Sequence, residues 1–101
     1  MCIQLTKVTE KIPRLTIVMP AYNAEEYLRE AVEGILNQTF GDFQFWIIDD
    51  GSADGTRQVI EEINDPRVSK IYFDTNKGRV AVVNEVVGKI KSEFFTITDA
   101  D

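Results

Sequence analysis

A chain of 101 residues with 44% apolar and 28% charged residues has the size and composition of one soluble globular domain, which excludes a disordered tail or a collagen-like chain. Eleven basic residues against seventeen acidic ones give a net charge of −6, the wrong sign for holding a phosphate backbone, so nucleic acid is excluded as a partner. No apolar run approaches the roughly 20 residues of a bilayer span, and Met1 to Lys11 lack the apolar centre of a signal peptide, so a cytoplasmic protein is expected.

Residues 1–13 form a polar lead-in, and residues 14–101 are the expected domain. Leu15 to Met19 is a β-rich run stopped by Pro20, the pattern of a strand buried on both faces. Asn23 followed by Ala24-Glu25-Glu26 has the chemistry of a helix start, an amide cap with carboxylates in the first turn. Tyr27, Leu28, Ala31, Val32, Ile35 and Leu36 then share one helical face, with an end expected between Asn37 and Gly41. Phe43 to Ile48 is a second strand running into Asp49-Asp50-Gly51-Ser52, and Ser52 to Thr56 carry turn and cap residues. A second helix turns Val59, Ile60 and Ile63 inward and closes at Asn64-Asp65-Pro66. Val68 to Phe73 is a third strand, and Asp74 to Gly78 a polar loop. The valines of Arg79 to Lys91 favour strand by propensity, but Val83, Val86, Val87 and Ile90 keep helical spacing, so a helix is expected. Phe94 to Thr98 is a fourth strand leading into Asp99-Ala100-Asp101.

Strands alternating with helices through short loops imply a doubly wound, Rossmann-like α/β fold with a parallel sheet of about four strands and three helices. Ligands of such sheets sit beyond the carboxyl ends of the strands, at a topological switch point. Four polar clusters fall there: Pro20-Ala21-Tyr22-Asn23, Asp49 to Ser52, Asn76 to Arg79, and Asp99 to Asp101. Each has a purely structural role open to it: Asn23 as a cap, Asp49 as a brace for the turn, Lys77 and Arg79 as solvated charges, Asp99 and Asp101 as a solvated chain end. The last pair is the hardest to dismiss, because two carboxylates one residue apart repel unless a proton or cation lies between them. With no His and one Cys, imidazole chemistry and an internal disulfide are excluded, and oxygen donors suit Mg2+ or Mn2+. Neither a dinucleotide fingerprint nor a Walker motif is present.

In the stretches Thr16 to Asn23, Leu36 to Phe40, Ile48 to Ser52 with Asp54 and Thr56, Asn76 to Gly78, and Asp99 to Asp101, the chain resembles the family 2 inverting glycosyltransferases of the GT-A fold, over residues 14–101. That resemblance implies the nucleotide-binding half of an enzyme that moves a sugar from a nucleotide donor, such as a UDP-sugar, to an acceptor hydroxyl. It assigns Pro20, Ala21 and Tyr22 to the base pocket and Asp50 to hydrogen-bonding the base. Asp99 goes to the ribose or the metal's waters, and Asp101, at the end of the Asp-x-Asp motif, to the divalent metal. Lys77, Arg79 and Asn84 are further candidate contacts, with Val82 and Val83 standing where the family often has Ala-Arg before the Asn. The resemblance also implies that the general base and the surface for a saccharide or lipid-linked saccharide acceptor belong to a later part of such a domain, so turnover by residues 1–101 alone is not expected.

Two rivals stand beside this reading. A phosphorelay receiver domain shares the βα alternation and bound Mg2+, but calls for an acidic pair after the first strand, where Pro20 to Asn23 stand. A non-catalytic interaction module would use an exposed sheet edge, which also favours self-association.

Overall fold

The computed structural model describes residues 14–38 and 41–99; the lead-in over 1–13 and the metal ligand expected at Asp101 lie outside them. In chain order the elements are β1 (Leu15–Ala21), α1 (Leu28–Leu36), β2 (Phe43–Asp50), α2 (Thr56–Glu62), β3 (Val68–Phe73), α3 (Arg79–Val87) and β4 (Phe94–Ile97). The four strands form one parallel sheet in the order β3-β2-β1-β4. The chain thus steps outward from β1 to β3 and then returns to the other side of β1. The switch point of this Rossmann-like sheet is therefore between β1 and β4.

Period-two alternation divides the core between the two faces of the sheet. Ile17, Met19 and Ala21 of β1 with Phe43, Phe45 and Ile47 of β2 pack against Leu28, Val32 and Ile60 of α1 and α2. Val18 and Ile48 face the other way, onto Val82, Val83 and Val86 of α3. Phe45, Leu28, Ile60 and Val82 are fully buried, and each such side chain contributes about 1.5–3 kcal/mol. The helical spacing of the valines in α3 therefore prevails over their strand propensity, because three of them fill one buried stripe. Arg67 ties the α1 side together: it donates to the Leu36 carbonyl at the end of α1, pairs with Asp65, and stacks 4.9 Å from the Phe43 ring centroid.

Three expectations are corrected. β1 continues through Pro20 to Ala21, in register with Ile48 and Asp49 of β2. What Pro20 stops is the pairing with β4. The Val18 carbonyl, on that side of β1, accepts the Thr98 N–H at 2.9 Å, and two residues on, the Pro20 nitrogen faces the same side with no hydrogen to donate. The first helix does not start at Asn23. Residues 24–27 make a separate turn, with the N–H groups of Tyr27 and Leu28 on the Ala24 carbonyl at 3.0 and 2.8 Å, and α1 begins at Leu28. Tyr27, expected inside, is 55% exposed. β4 presents Phe94 and Phe95 largely exposed.

Candidate functional site

The first two strand ends are held to each other by reciprocal hydrogen bonds. Asn23, in the left-handed region at φ 49°, gives its N–H to Ser52 Oγ at 3.0 Å and accepts the Ala53 N–H on Oδ1 at 2.9 Å. Ala24 N–H donates to Thr56 Oγ1 at 2.8 Å, and Glu25 Oε1 accepts the Gly55 N–H at 3.0 Å. The free N–H groups before α1, and those of Ala53 and Gly55 before α2, are thus capped across the loops, while the Thr56 N–H that opens α2 is capped locally by Asp54 Oδ1 at 2.9 Å. Burial pushes the Asp54 carboxyl up, but hydrogen bonds from the Thr56 hydroxyl, then from the Thr56 and Glu25 N–H groups, outweigh it and hold the group below its ordinary 3.8.

Strand alternation sends the two adjacent carboxylates of β2 to opposite faces. Asp49, 1% exposed, points toward α2, accepts the Ser52 N–H at 3.1 Å and pairs with Arg57 Nε at 3.2 Å. It braces the turn. Asp50, also buried, lies on the α3 face and organises the β3–α3 loop. Its Oδ1 accepts the Lys77 N–H at 2.8 Å, and its Oδ2 accepts Asn76 Nδ2 and the Gly78 N–H at 3.0 Å each. A carboxylate has about four acceptor positions, so one remains, on Oδ1. Gly51 lets this loop close: at φ 66° an added Cβ would lie 2.4 Å from the Asn76 nitrogen and the Thr75 carbonyl carbon, so no side chain fits.

Beyond the β1 and β4 ends opens a cavity of about 420 Å³, lined by Pro20, Ala21, Tyr22, Asn23, Ala24, Tyr27, Asp50, Asn76, Gly78, Arg79 and Asp99. The structure therefore brings together Pro20, Ala21, Tyr22, Asp50, Arg79 and Asp99 of the residues singled out from sequence. Tyr22 and Tyr27 are each about half exposed. Arg79 Nε donates to Asp99 Oδ1 at 2.8 Å. The Lys77 side chain does not line the cavity. Its ammonium pairs with Glu85 at 3.0 Å and lies over the Phe73 ring, and only its backbone N–H serves Asp50. Asn84 is exposed on α3 and does not line the cavity either. Tyr27 is the lining residue that the helical pattern misplaced. Among the described residues no group of three or more acidic or Cys side chains could hold a metal.

A parallel α/β sheet whose switch-point cleft carries acidic, amide and aromatic side chains puts the chain first in the doubly wound class, the class whose ligands sit at such clefts. The profile of glycosyl transferase family 2 matches residues 16–101, and the chain belongs to that family. It is 36% identical over 92 residues to an uncharacterized glycosyltransferase of Haemophilus influenzae, covering 89% of this chain and 37% of that one. It is 35% identical over 94 residues to a chondroitin synthase of Escherichia coli, covering 91% of this chain and 14% of the synthase. The fold superposes with a TM-score of 0.80 on S. aureus TarS solved with UDP-GlcNAc, at 27% identity, over 87% of this chain and 26% of TarS. A mannosyltransferase of Pyrobaculum calidifontis, solved with GDP-Man and Mn2+, shares the fold with a TM-score of 0.80 at 24% identity, over 90% of this chain and 28% of the enzyme. The chain therefore spans well under half the length of these relatives.

Proposed function

We propose that the cavity at the β1/β4 switch point binds a nucleoside diphosphate sugar, with a UDP-sugar as the first candidate, and that the whole protein transfers the sugar to an acceptor hydroxyl with inversion. The observation that carries this reading is the joint lining of one cavity by Tyr22, Asp50, Arg79 and Asp99. Its volume is in the range of small-molecule sites, about 300–1,000 Å³. The complexes of TarS with UDP-GlcNAc and of the mannosyltransferase with GDP-Man support a nucleotide donor.

The residues divide the work by chemistry. Pro20, Ala21 and Tyr22 offer an apolar wall and a ring for the base, and the half-exposed Tyr27 ring adds a second aromatic surface at the same cavity. The remaining acceptor position of Asp50 takes an N–H of the base, and the three N–H donors fixed on its carboxylate keep it in place. Asp99 is left for ribose hydroxyls. The donor set also fits a hard dication: such ions take one or two carboxylates plus substrate phosphates, and Asp99 brings one carboxylate to the cavity while Asp101 stands two residues further on. Asp99 and Asp101 would hold Mg2+ or Mn2+, which would neutralise charge on the departing diphosphate. The acceptor, a saccharide or lipid-linked saccharide, and the general base that takes its proton belong to residues beyond these.

Calorimetric titration of the chain with UDP, with Mn2+ and again in EDTA, tests the reading. Tyr22→Ala and Tyr27→Ala remove exposed rings and leave the fold intact by circular dichroism. Each is expected to weaken UDP by roughly tenfold, since a base stacked on an aromatic ring gains about 1–3 kcal/mol. A folded sample that binds neither UDP nor GDP overturns it.

A further inference from the structure

We propose that Arg79 is a phosphate-binding side chain of this cavity and that Asp99 holds it in reserve, letting go when the anion arrives. The inference rests on the nucleotide reading above and assigns a role within that site.

Among the described residues lining the cavity, Arg79 is the one with a positive charge, facing the two carboxylates of Asp50 and Asp99. The neighbouring cation is not available, because the Lys77 ammonium is engaged by Glu85 and the Phe73 ring. A diphosphate entering the cavity therefore meets one guanidinium, and that group is already on a carboxylate. The hold is slight. It is a single Nε to Oδ1 contact at 2.8 Å between side chains 51% and 57% exposed. Exposed pairs of this kind are worth about 0–1 kcal/mol. Of the five N–H donors of the guanidinium, only the one on Nε makes a hydrogen bond to a described residue, so among the described residues Asp99 alone closes the side-on fork that Nε forms with one Nη. Arginine grips phosphate through such a fork in bidentate fashion, with charge-assisted bonds stronger than the exposed pair they replace. Exchange of Asp99 for phosphate oxygens is thus downhill. It leaves Asp99, on the loop just past β4, with both oxygens free.

The exchange couples two side chains that belong to different elements, 20 residues apart in sequence, and a double-mutant cycle isolates that coupling. UDP and uridine are titrated in EDTA into the chain and into Arg79→Gln, Asp99→Asn and the double variant, and the ratio of UDP to uridine affinity is read for each. Arg79→Gln is expected to lower the ratio by about tenfold or more, the loss of charge-assisted bonds to phosphate. Asp99→Asn is expected to raise it roughly two- to fivefold, the value of an exposed ion pair released, and to raise it less in the Arg79→Gln background. A ratio unmoved by Arg79→Gln, with UDP and uridine still bound, overturns the phosphate role and leaves the nucleotide reading standing. An equal rise from Asp99→Asn in both backgrounds marks simple removal of a negative charge and overturns the reserve. Failure of the unsubstituted chain to bind either ligand overturns the nucleotide reading, and this proposal with it.

Discussion

Replacing Asp50 by Asn tests whether one carboxylate holds the third strand end in place. Its Oδ2 takes two donors, Asn76 Nδ2 and the Gly78 N–H, while Oδ1 takes the Lys77 N–H alone. An asparagine amide loses least by setting its oxygen toward the pair and its NH2 toward Lys77. One charge-assisted hydrogen bond is then lost outright, about 1.5–3 kcal/mol, and two donors face each other in a buried site. The remaining two bonds fall from charge-assisted to neutral strength, adding about 1 kcal/mol. The sum is about 2.5–4 kcal/mol, equivalent to a Tm lower by roughly 10–30 °C for a chain of this size. Urea and thermal unfolding followed by circular dichroism measure it. A loss below about 0.5 kcal/mol, the scatter of ordinary surface substitutions, refutes the idea that Asp50 organises the loop.

Gly51→Ala sets a methyl group 2.4 Å from the backbone of Thr75 and Asn76 at a positive φ. Left-handed strain of about 1–2 kcal/mol and crowding of about 1–3 kcal/mol add up, so a loss of about 2–5 kcal/mol in urea unfolding is expected; an unchanged midpoint contradicts the close approach. Thr56→Val keeps the volume but removes the acceptor of the Ala24 N–H and the donor to Asp54, and is expected to cost about 1–3 kcal/mol. Thr56→Ser, which keeps the hydroxyl, should recover most of it, and equal stability of the two variants counts against cross-capping. Hydrogen bonds from the Arg67 side chain, then its N–H, hold the Asp65 carboxyl below its ordinary 3.8. The folded-state value is depressed, so the stability it contributes is complete above 3.8 and is lost as pH falls through the folded value. Urea midpoints against pH should fall less steeply on the acid side in Asp65→Asn, and an unaltered slope removes the pair from the account.

Much of this architecture was legible in the amino-acid sequence because it rests on short-range periodicity. Val68 to Phe73 is a strand as expected, and of the expected helical face Val83 and Val86 are buried and Val87 and Ile90 partly so, with Val82, which the spacing left out, buried beside them. The gathering of Tyr22, Asp50 and Asp99 follows from the strand ends sharing one edge of a parallel sheet. What escaped depends on partners far along the chain. The helix expected at Asn23 begins at Leu28, and the turn before it is held by Ser52, Asp54 and Thr56, which accept the N–H groups of Asn23, Ala24 and Glu25 from some 30 residues away. Counting helical turns from Asn23 therefore put Tyr27 inside, when it lines the cavity. The Arg79–Asp99 pair likewise joins α3 to the β4 end, and no local pattern announces it. Lys77 was singled out for its charge, but the function visible in the structure belongs to its backbone.

Pro20 has an effect beyond its own dihedral angles. Its imino nitrogen removes the rung that would join β1 to the backbone near Asp99, while on the other flank β1 stays paired with β2 through Ala21. The sheet consequently unzips on one flank only, like a seam left open above the last stitch. A residue bearing an amide hydrogen at this position would offer the missing stitch and draw the two margins together, narrowing the mouth through which any guest must pass.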